Sequence, residues 1–173
     1  LAVMIVAKRI LLCLAHMSGN EMKYIQEAFD TNWVVPLGPN VDGFEHDLEA
    51  FVGQNKQVVA LSSGTAAVHL ALIACGVQAG DEVMVQSFTF CASSHPVTYL
   101  GATPVFVDSE RDSWNMDPVL LDEAIADRIA KTGRKPKAII PVYLYGMPGK
   151  IKEILAVAAK YGIPVIEAQD TKN

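Results

Sequence analysis

The chain has 173 residues, of which 51% are hydrophobic and 19% are charged, and its formal net charge is −5. This length fits one domain or a part of a larger one, and the apolar fraction is sufficient for a buried core, which excludes disordered and low-complexity classes. An acidic chain without basic clusters is a poor candidate for binding nucleic acid or an anionic membrane. A local cationic pocket for a phosphate group is compatible with this composition.

The cysteines and histidines show no spacing typical of a metal site. Cys13, Cys75 and Cys91 form no CxxC pair, and the four histidines form no HExxH motif. We therefore expect no bound metal, and we expect free thiols in a reducing cytosol.

The amino terminus, LAVMIVAKRILLCLA, is apolar, but Lys8 and Arg9 divide it into runs much shorter than the ~20 residues of a membrane helix. A signal peptide carries its positive charge before the apolar stretch, whereas here the charge lies inside it. We expect residues 1–17 to form an irregular amino-terminal segment, and the cytoplasm is the predicted location.

The next part of the chain predicts two helices and then a strand. Residues 18–21 (SGNE) have the pattern of a capping box that opens the first helix. A loop over residues 32–40 leads to the second helix, which Gly53 ends. Residues 57–61 (QVVAL) are rich in β-formers and are the first predicted strand. The apolar faces of the two helices consist of Met22, Ile25 and Phe29, and of Phe44, Leu48 and Phe51.

From residue 65 onward, apolar helices alternate with short apolar strands. Helices are predicted over residues 65–75, 96–100, 117–133 and 151–162, and strands over residues 82–86, 104–108, 137–142 and 163–167. This alternation implies βαβ units, and therefore a three-layer αβα fold around a mostly parallel sheet. Ligands of such sheets bind beyond the carboxyl ends of the strands, so the residues that follow each strand are the candidates for a site.

Ser62-Ser63-Gly64-Thr65 follows the first predicted strand and opens a helix. The free N–H groups and partial positive charge of a helix amino terminus, together with a glycine, form a plausible phosphate cradle. An ordinary capped turn has the same pattern, and the segment is neither a Walker loop nor a GxGxxG motif.

Other strands are followed by aromatic and acidic side chains. Phe88 and Phe90 follow the second predicted strand, where they either stack on a flat ring or pack in the core. Tyr143 follows the fourth predicted strand and either donates a hydrogen bond to a ligand or packs at a sheet edge. Glu167 and Asp170 either border the same cleft or belong to a solvated terminus.

Six segments, in order along the chain, resemble one family. They are HMSGNE (16–21), LGPNVDGFEHDLEAFVG (37–53), LSSGTAAVHLAL (61–72), GDEVMVQSFTFCAS (80–93), GATPVFVDSERDSWNMDP (101–118) and PVYLYG (141–146). Together they resemble the sugar aminotransferases of the DegT/StrS type, which depend on pyridoxal 5′-phosphate (PLP). The resemblance implies a truncated large domain of a fold type I, aspartate aminotransferase-like enzyme, which forms a homodimer with shared active sites.

The resemblance also implies a cofactor site and a substrate class. In this family a Gly-Thr turn holds the PLP phosphate, which corresponds to Gly64 and Thr65 with Ser63 beside them. An aromatic residue stacks on the pyridine ring, which corresponds to Phe90. The implied substrates are a nucleotide-linked keto-sugar and an amino donor, usually glutamate, in the synthesis of polysaccharide or glycan sugars.

The sequence departs from the family near its end. The family reads V-I-E-D-A, with an aspartate that pairs with the pyridine nitrogen, whereas this chain has Ala168 at that position. The family's Schiff-base lysine, within S-F-x-x-x-K, is expected beyond Asn173, and Lys172 lacks that context. We therefore expect no catalytic residue in this chain. Residues 18–167 are expected to form a partial PLP-binding domain, and residues 168–173 a tail foreign to the family.

Two other interpretations stay open. An inactive fold type I fragment can serve as a binding or dimer-partner module. A generic Rossmann-like nucleotide binder is the other alternative, although the chain lacks GxGxxG and the acidic residue ~20 positions beyond it.

Overall fold

The computed structural model of the protein describes residues 16–53 and 55–170, with only the backbone at Asp170. Most of the irregular segment predicted for residues 1–17, including Cys13, lies outside the described residues, as does Lys172. The described residues fall into two units, residues 16–60 and residues 61–170.

The first unit contains two helices, α1 (Glu21–Asp30) and α2 (Pro39–Val52). The predicted capping box forms only in part. The Glu21 carboxylate accepts the N–H groups of Ser18 at 2.6 Å and of Gly19 at 2.9 Å, but the Ser18 hydroxyl accepts the N–H of Asn20 instead of that of Glu21. The N–H groups of Glu21 itself and of Ser18 lower the pKa of the Glu21 carboxyl to about 2.

Two glycines define the ends of α2. Gly38 has a φ of 142°, and a Cβ there would lie 3.1 Å from the Trp33 ring, so the turn before the helix requires glycine. Pro39 occupies the first helical position, so α2 includes the last two residues of the loop predicted over residues 32–40. Gly53, at φ 66°, ends the helix as predicted. No residue of α1 or α2 is buried, and most side chains of the two predicted apolar faces are exposed.

The prediction of a strand over residues 57–61 is wrong: these residues form no strand in the structure. The N–H of Val58 donates to the Glu49 carboxylate at 3.1 Å, and the N–H of Ala60 donates to the Glu45 carboxylate at 2.7 Å. Two carboxylates of α2 thus take the backbone donors that a neighbouring strand would otherwise use.

The second unit has the predicted three-layer architecture. Its helices are α3 (Gly64–Ala74), α4 (His95–Tyr99), α5 (Pro118–Thr132) and α6 (Ile151–Tyr161). Its strands are β1 (Glu82–Gln86), β2 (Thr103–Val107), β3 (Ala138–Ile140), β4 (Val142–Leu144) and β5 (Ala168–Asp170). All the strand pairs are parallel: β1 lies between β2 and β3, and β4 pairs with β5.

The predicted fourth and fifth strands differ from the observed ones because of prolines. Pro141 has no N–H group and separates β3 from β4, although its carbonyl still accepts the N–H of Ala168 at 3.0 Å. Pro164 likewise cannot donate, so pairing of the last segment starts with a bridge between Val165 and Ile139. That segment then continues to Asp170, because β4 offers it a partner.

The sheet is covered on both faces by separate apolar clusters, since successive side chains of a strand point to opposite faces. The helices α3 and α4 cover one face and α5 and α6 cover the other. The first cluster includes Leu72, Val83, Val85, Val97, Ile140 and Val142. The second includes Met84, Leu121, Ile125, Ile139, Ile154 and Ala158.

Candidate functional site

The turn into α3 has two backbone donors that no described residue uses. Ser63 caps the helix, and its hydroxyl accepts the N–H of Ala66 at 3.2 Å. The N–H groups of Gly64 and Thr65 make no hydrogen bond within the described residues. A Cβ built on Gly64 meets nothing within 4 Å, so the space in front of these donors is open. The turn therefore combines free N–H groups with room for an anion.

Phe90 lies at the start of a 3-10 turn, Cys91–Ser93, which packs against α3. Phe90 is 50% exposed, so it is not a core residue. The turn after it is closed by a hydrogen bond of 3.1 Å between the hydroxyls of Thr89 and Ser93. The second aromatic of the segment, Phe88, is 47% exposed and contacts Trp114, with ring centroids 5.9 Å apart. Both aromatics thus offer ring surface outside the core.

Gln86 and Asn115 form a buried polar pair at the carboxyl end of β1, and both are almost fully buried. The side-chain oxygen of Gln86, Oε1, accepts the backbone N–H groups of Met116 at 2.9 Å and of Val142 at 3.2 Å. Its side-chain nitrogen, Nε2, donates to the backbone carbonyl of Phe88 at 2.8 Å. One side chain thereby ties the ends of β1 and β4 to the segment that carries Phe88.

Asn115 extends this network to the loop after β4. Its carbonyl oxygen accepts the N–H of Leu144 at 3.0 Å, and its amide donates to the Met147 carbonyl at 2.8 Å. The Gln86 amide nitrogen lies 3.5 Å from the Asn115 oxygen, which joins the two side chains. The loops at this end of the sheet are therefore held by buried amides.

Tyr143 lies inside β4, and its hydroxyl donates to the Glu167 carboxylate at 2.6 Å. Burial, with a further contribution from this carboxylate, raises the pKa of Tyr143 to about 12. Tyr143 and Glu167 thus satisfy each other. Ala168 lies next to Glu167 in β5 and packs against the cluster under α3 and α4.

The loop between β2 and α5 is built on the buried carboxylate of Glu110. This carboxylate accepts the N–H groups of Asp112 at 2.8 Å and of Ser113 at 2.7 Å, the Ser113 hydroxyl, and the ammonium of Lys150 at 3.2 Å. The Ser113 hydroxyl contributes most to lowering the pKa of Glu110 to about 2, followed by the Asp112 N–H.

Sequence reasoning missed Gln86, Asn115, Glu110 and Trp114. A polar residue at the end of an otherwise apolar strand was a signal for Gln86. The roles of the other three depend on contacts between distant segments, and no spacing in the sequence marks them. The predicted cofactor residues Ser63, Gly64 and Thr65 lie at the α3 turn, and Phe90 lies at the start of the 3-10 turn that packs against α3.

Residues 16–53 and 55–170 contain no group of three or more His, Cys, Asp or Glu side chains that could hold a metal ion. None of the helices described there is long and apolar enough to cross a bilayer. Cys75 and Cys91 are free thiols.

Two curated relatives are similar to nearly the whole chain. The putative pyridoxal phosphate-dependent aminotransferase EpsN of Bacillus subtilis is 50% identical over 160 residues, which cover 92% of this chain and 41% of that protein. The GDP-perosamine synthase of Caulobacter vibrioides is 40% identical over 159 residues, again 92% of this chain and 41% of that protein. The chain thus spans about two fifths of the length of these relatives.

A solved structure shares the fold. The crystal structure of NtdA from Bacillus subtilis with the bound cofactor PMP matches with a TM-score of 0.75 and 32% identity, over 84% of this chain and 32% of that one. The profile of the DegT/DnrJ/EryC1/StrS aminotransferase family matches residues 15–170. That match includes the first residues of the predicted foreign tail, whose assignment stays a prediction. The chain belongs to the DegT/DnrJ/EryC1/StrS aminotransferase family.

Proposed function

We propose that this chain is the PLP-binding part of an aminotransferase that transfers an amino group, with glutamate as donor, to a nucleotide-linked keto-sugar. The observation that carries the proposal is the α3 turn, where two unused N–H groups face open space, with the turn of Phe90 packed against the same helix. The names of the relatives, a pyridoxal phosphate-dependent aminotransferase and a GDP-perosamine synthase, support the reaction and substrate class.

The residues present fit the phosphate and the ring of PLP. Gly64 and Thr65 would donate their N–H groups to the phosphate at the positive end of α3, beside the Ser63 cap. Phe90 would offer its exposed ring as a stacking face. When bound, PLP supplies the electron sink that stabilises negative charge on the substrate carbon. Ala168 offers no carboxylate to the pyridine nitrogen.

The Gly64→Ala substitution tests the phosphate site. An alanine fits the fold, because its Cβ meets nothing within 4 Å, but its methyl group would occupy the open space in front of the donors. We expect PLP affinity to fall about tenfold or more, as for the loss of a charge-assisted hydrogen bond. The measurement is a titration of the protein, as its gene encodes it, with PLP, followed by visible absorbance.

Gly43→Ala is the matched control, since a Cβ there also meets nothing within 4 Å and Gly43 lies inside α2. This control is expected to leave PLP affinity unchanged. Equal PLP affinity of Gly64→Ala and Gly43→Ala would contradict the assigned phosphate site. A gene product that binds no PLP at all would contradict the proposed function.

The wider proposal concerns the complete gene product, which we place in the cytoplasm as a homodimer that serves polysaccharide or glycan sugar synthesis. Reading the source DNA through and beyond the codon for Glu167 in all three frames tests its completeness. A frame that continues as E-D-A and later S-F-x-x-x-K supports the active enzyme. A genuine stop after Asn173 in every read contradicts it.

An inactive binding or dimer-partner module is the second candidate function. One observation favours it: Ala168 stands where the family has an aspartate. Ala168 lies in β5 and is partly buried against the apolar cluster under α3 and α4. Exposed apolar side chains of the first unit, such as Phe29 and Phe51, are available for a partner. Co-purification with an active homologue supports this role, and a chain that stays monomeric beside that homologue contradicts it.

A further inference from the structure

A cleft of about 600 Å³ opens beside the carboxyl ends of β1 and β2. Phe88 and Trp114 line it, with their rings tilted by 57° and 5.9 Å between centroids. Both residues are about half exposed, at 47% for Phe88 and 61% for Trp114. Two large aromatic surfaces therefore face solvent at the edge of the sheet where parallel folds bind their ligands.

The loop after β2 holds Trp114 in an unfavourable backbone conformation. Trp114 has a φ of 62°, in the left-handed region that bulky residues rarely adopt. Its neighbours hold it there: the N–H of Glu110 donates to the Asn115 carbonyl at 2.9 Å, and Asn115 is buried. Backbone strain retained by surrounding contacts is characteristic of functional sites. Here the strain serves to hold an exposed indole opposite Phe88.

The polar groups of the cleft include an unpaired cation and an unpaired hydroxyl. Arg111 lines the cleft and makes no hydrogen bond or ion pair within the described part of the chain. The Ser109 Oγ atom is buried and has no hydrogen-bond partner among the described residues. Asp108 is fixed by the Ser87 hydroxyl at 3.3 Å and by the Ser109 N–H at 2.8 Å.

This combination matches the chemistry of a nucleoside diphosphate. An aromatic ring can stack on any nucleobase, because every base has a flat π-face. A guanidinium forms paired hydrogen bonds to phosphate oxygens, and a fixed carboxylate accepts hydrogen bonds from ribose hydroxyls. The negative charge of Glu110 does not oppose a phosphate, because Lys150 and the loop N–H groups already bind that carboxylate.

We infer that the cleft lined by Phe88 and Trp114 binds the nucleoside diphosphate portion of the sugar substrate, with the base on the exposed faces of the two rings and the phosphates on Arg111. Asp108 binds the ribose, and the Ser109 hydroxyl donates to a phosphate oxygen. The inference deepens the proposed function and rests on it for the identity of the ligand. Phe88 is thereby assigned to the nucleotide and Phe90, two positions later, to PLP.

The test is isothermal titration calorimetry of the gene-encoded, PLP-loaded protein with UDP and GDP in separate experiments. Uridine and inorganic diphosphate are titrated as the base-only and anion-only parts. Trp114→Ala removes one ring and should weaken nucleotide binding at least about fivefold, the effect of losing one base–aromatic stack. Trp114→Phe keeps a ring on the same backbone and should recover most of the affinity.

Arg111→Ala tests the phosphate contact and should weaken UDP or GDP binding about tenfold or more, while uridine binding stays unchanged. The matched control is Arg134→Ala, which removes the same charge near the amino end of β1, where Arg134 donates to the Gly80 carbonyl. That control should leave nucleotide affinity unchanged. The salt dependence of nucleotide binding should also weaken in Arg111→Ala only.

The outcomes separate this inference from the proposed function. A protein that holds PLP but binds neither UDP nor GDP overturns the inference and leaves the proposed function standing. Unchanged nucleotide affinity in both Trp114→Ala and Arg111→Ala also overturns it. A protein without PLP overturns the proposed function, and its nucleotide titrations still decide the inference, since the cleft residues make no use of the cofactor.

Discussion

Replacing Gln86 by leucine should strongly destabilise the second unit. Leucine has a similar size, so the substitution leaves little cavity and removes only polar atoms. In the protein the Gln86 carbonyl oxygen satisfies the N–H groups of Met116 and Val142, and the amide satisfies the Phe88 carbonyl. The site is fully buried, so water does not replace these partners.

The magnitude follows from the groups left without partners. Each buried donor or acceptor that loses its partner costs about 1–3 kcal/mol, so the two N–H groups alone cost about 2–6 kcal/mol. That is a large part of the ~5–15 kcal/mol by which proteins are usually stable. Urea denaturation followed by circular dichroism measures the total loss. Hydrogen exchange of the peptides that contain Met116 and Val142 should show faster exchange at those two amides.

Gln78→Leu is the matched control, because Gln78 is exposed and its side chain makes no hydrogen bond among the described residues. Its free energy of unfolding should change by no more than about 0.5 kcal/mol. If Gln86→Leu changes stability as little as this control, or leaves exchange at Met116 and Val142 unaltered, the reasoning from buried donors is refuted.

Two further predictions concern pH. Glu110 has a pKa lowered to about 2 from 4.5, so its contribution to stability is present above pH 4.5 and is lost as the pH falls toward 2. In Glu110→Gln the free energy of unfolding should therefore fall less steeply between pH 4.5 and 2. The same fall in this variant as in the unmodified protein would contradict the assignment. Tyr143 has a pKa raised to about 12 from 10.0, so stability should fall as the pH rises from 10 toward 12. Tyr143→Phe should remove that fall in stability, and the ultraviolet absorbance should show one fewer phenol that ionises above pH 11. An equal number of phenols ionising above pH 11 in the variant and the unmodified protein would contradict the prediction.

Elements with local signals were predictable from the sequence. The helix α5 has Asp117 as its cap, Pro118 at its first position and Gly133, in the left-handed conformation, at its end. Each of these signals acts within one turn of the helix, so the two ends of α5 can be predicted from the local sequence. The strand β1 was equally clear, because three successive apolar residues, Val83, Met84 and Val85, need burial on both faces of a sheet.

The errors arose where distant groups compete for the backbone. The run at residues 57–61 has strand propensity, but the carboxylates of Glu45 and Glu49 take its donors. The candidate site shows the same division. The α3 turn is visible as a local pattern, whereas the opposition of Phe88 and Trp114 depends on a loop folded around Glu110 and on two buried amides.

The two carboxylates on α2 have a consequence for self-association. Val58 and Ala60 are two residues apart, and their N–H groups are both occupied, by Glu49 and Glu45 respectively. A strand from another molecule that approaches these two N–H groups finds both donors occupied and meets two negative charges. Proteins commonly protect such edges with charged side chains that project along the strand itself. Here the protection comes from a neighbouring helix, which shields an apolar, strand-forming sequence from pairing between molecules.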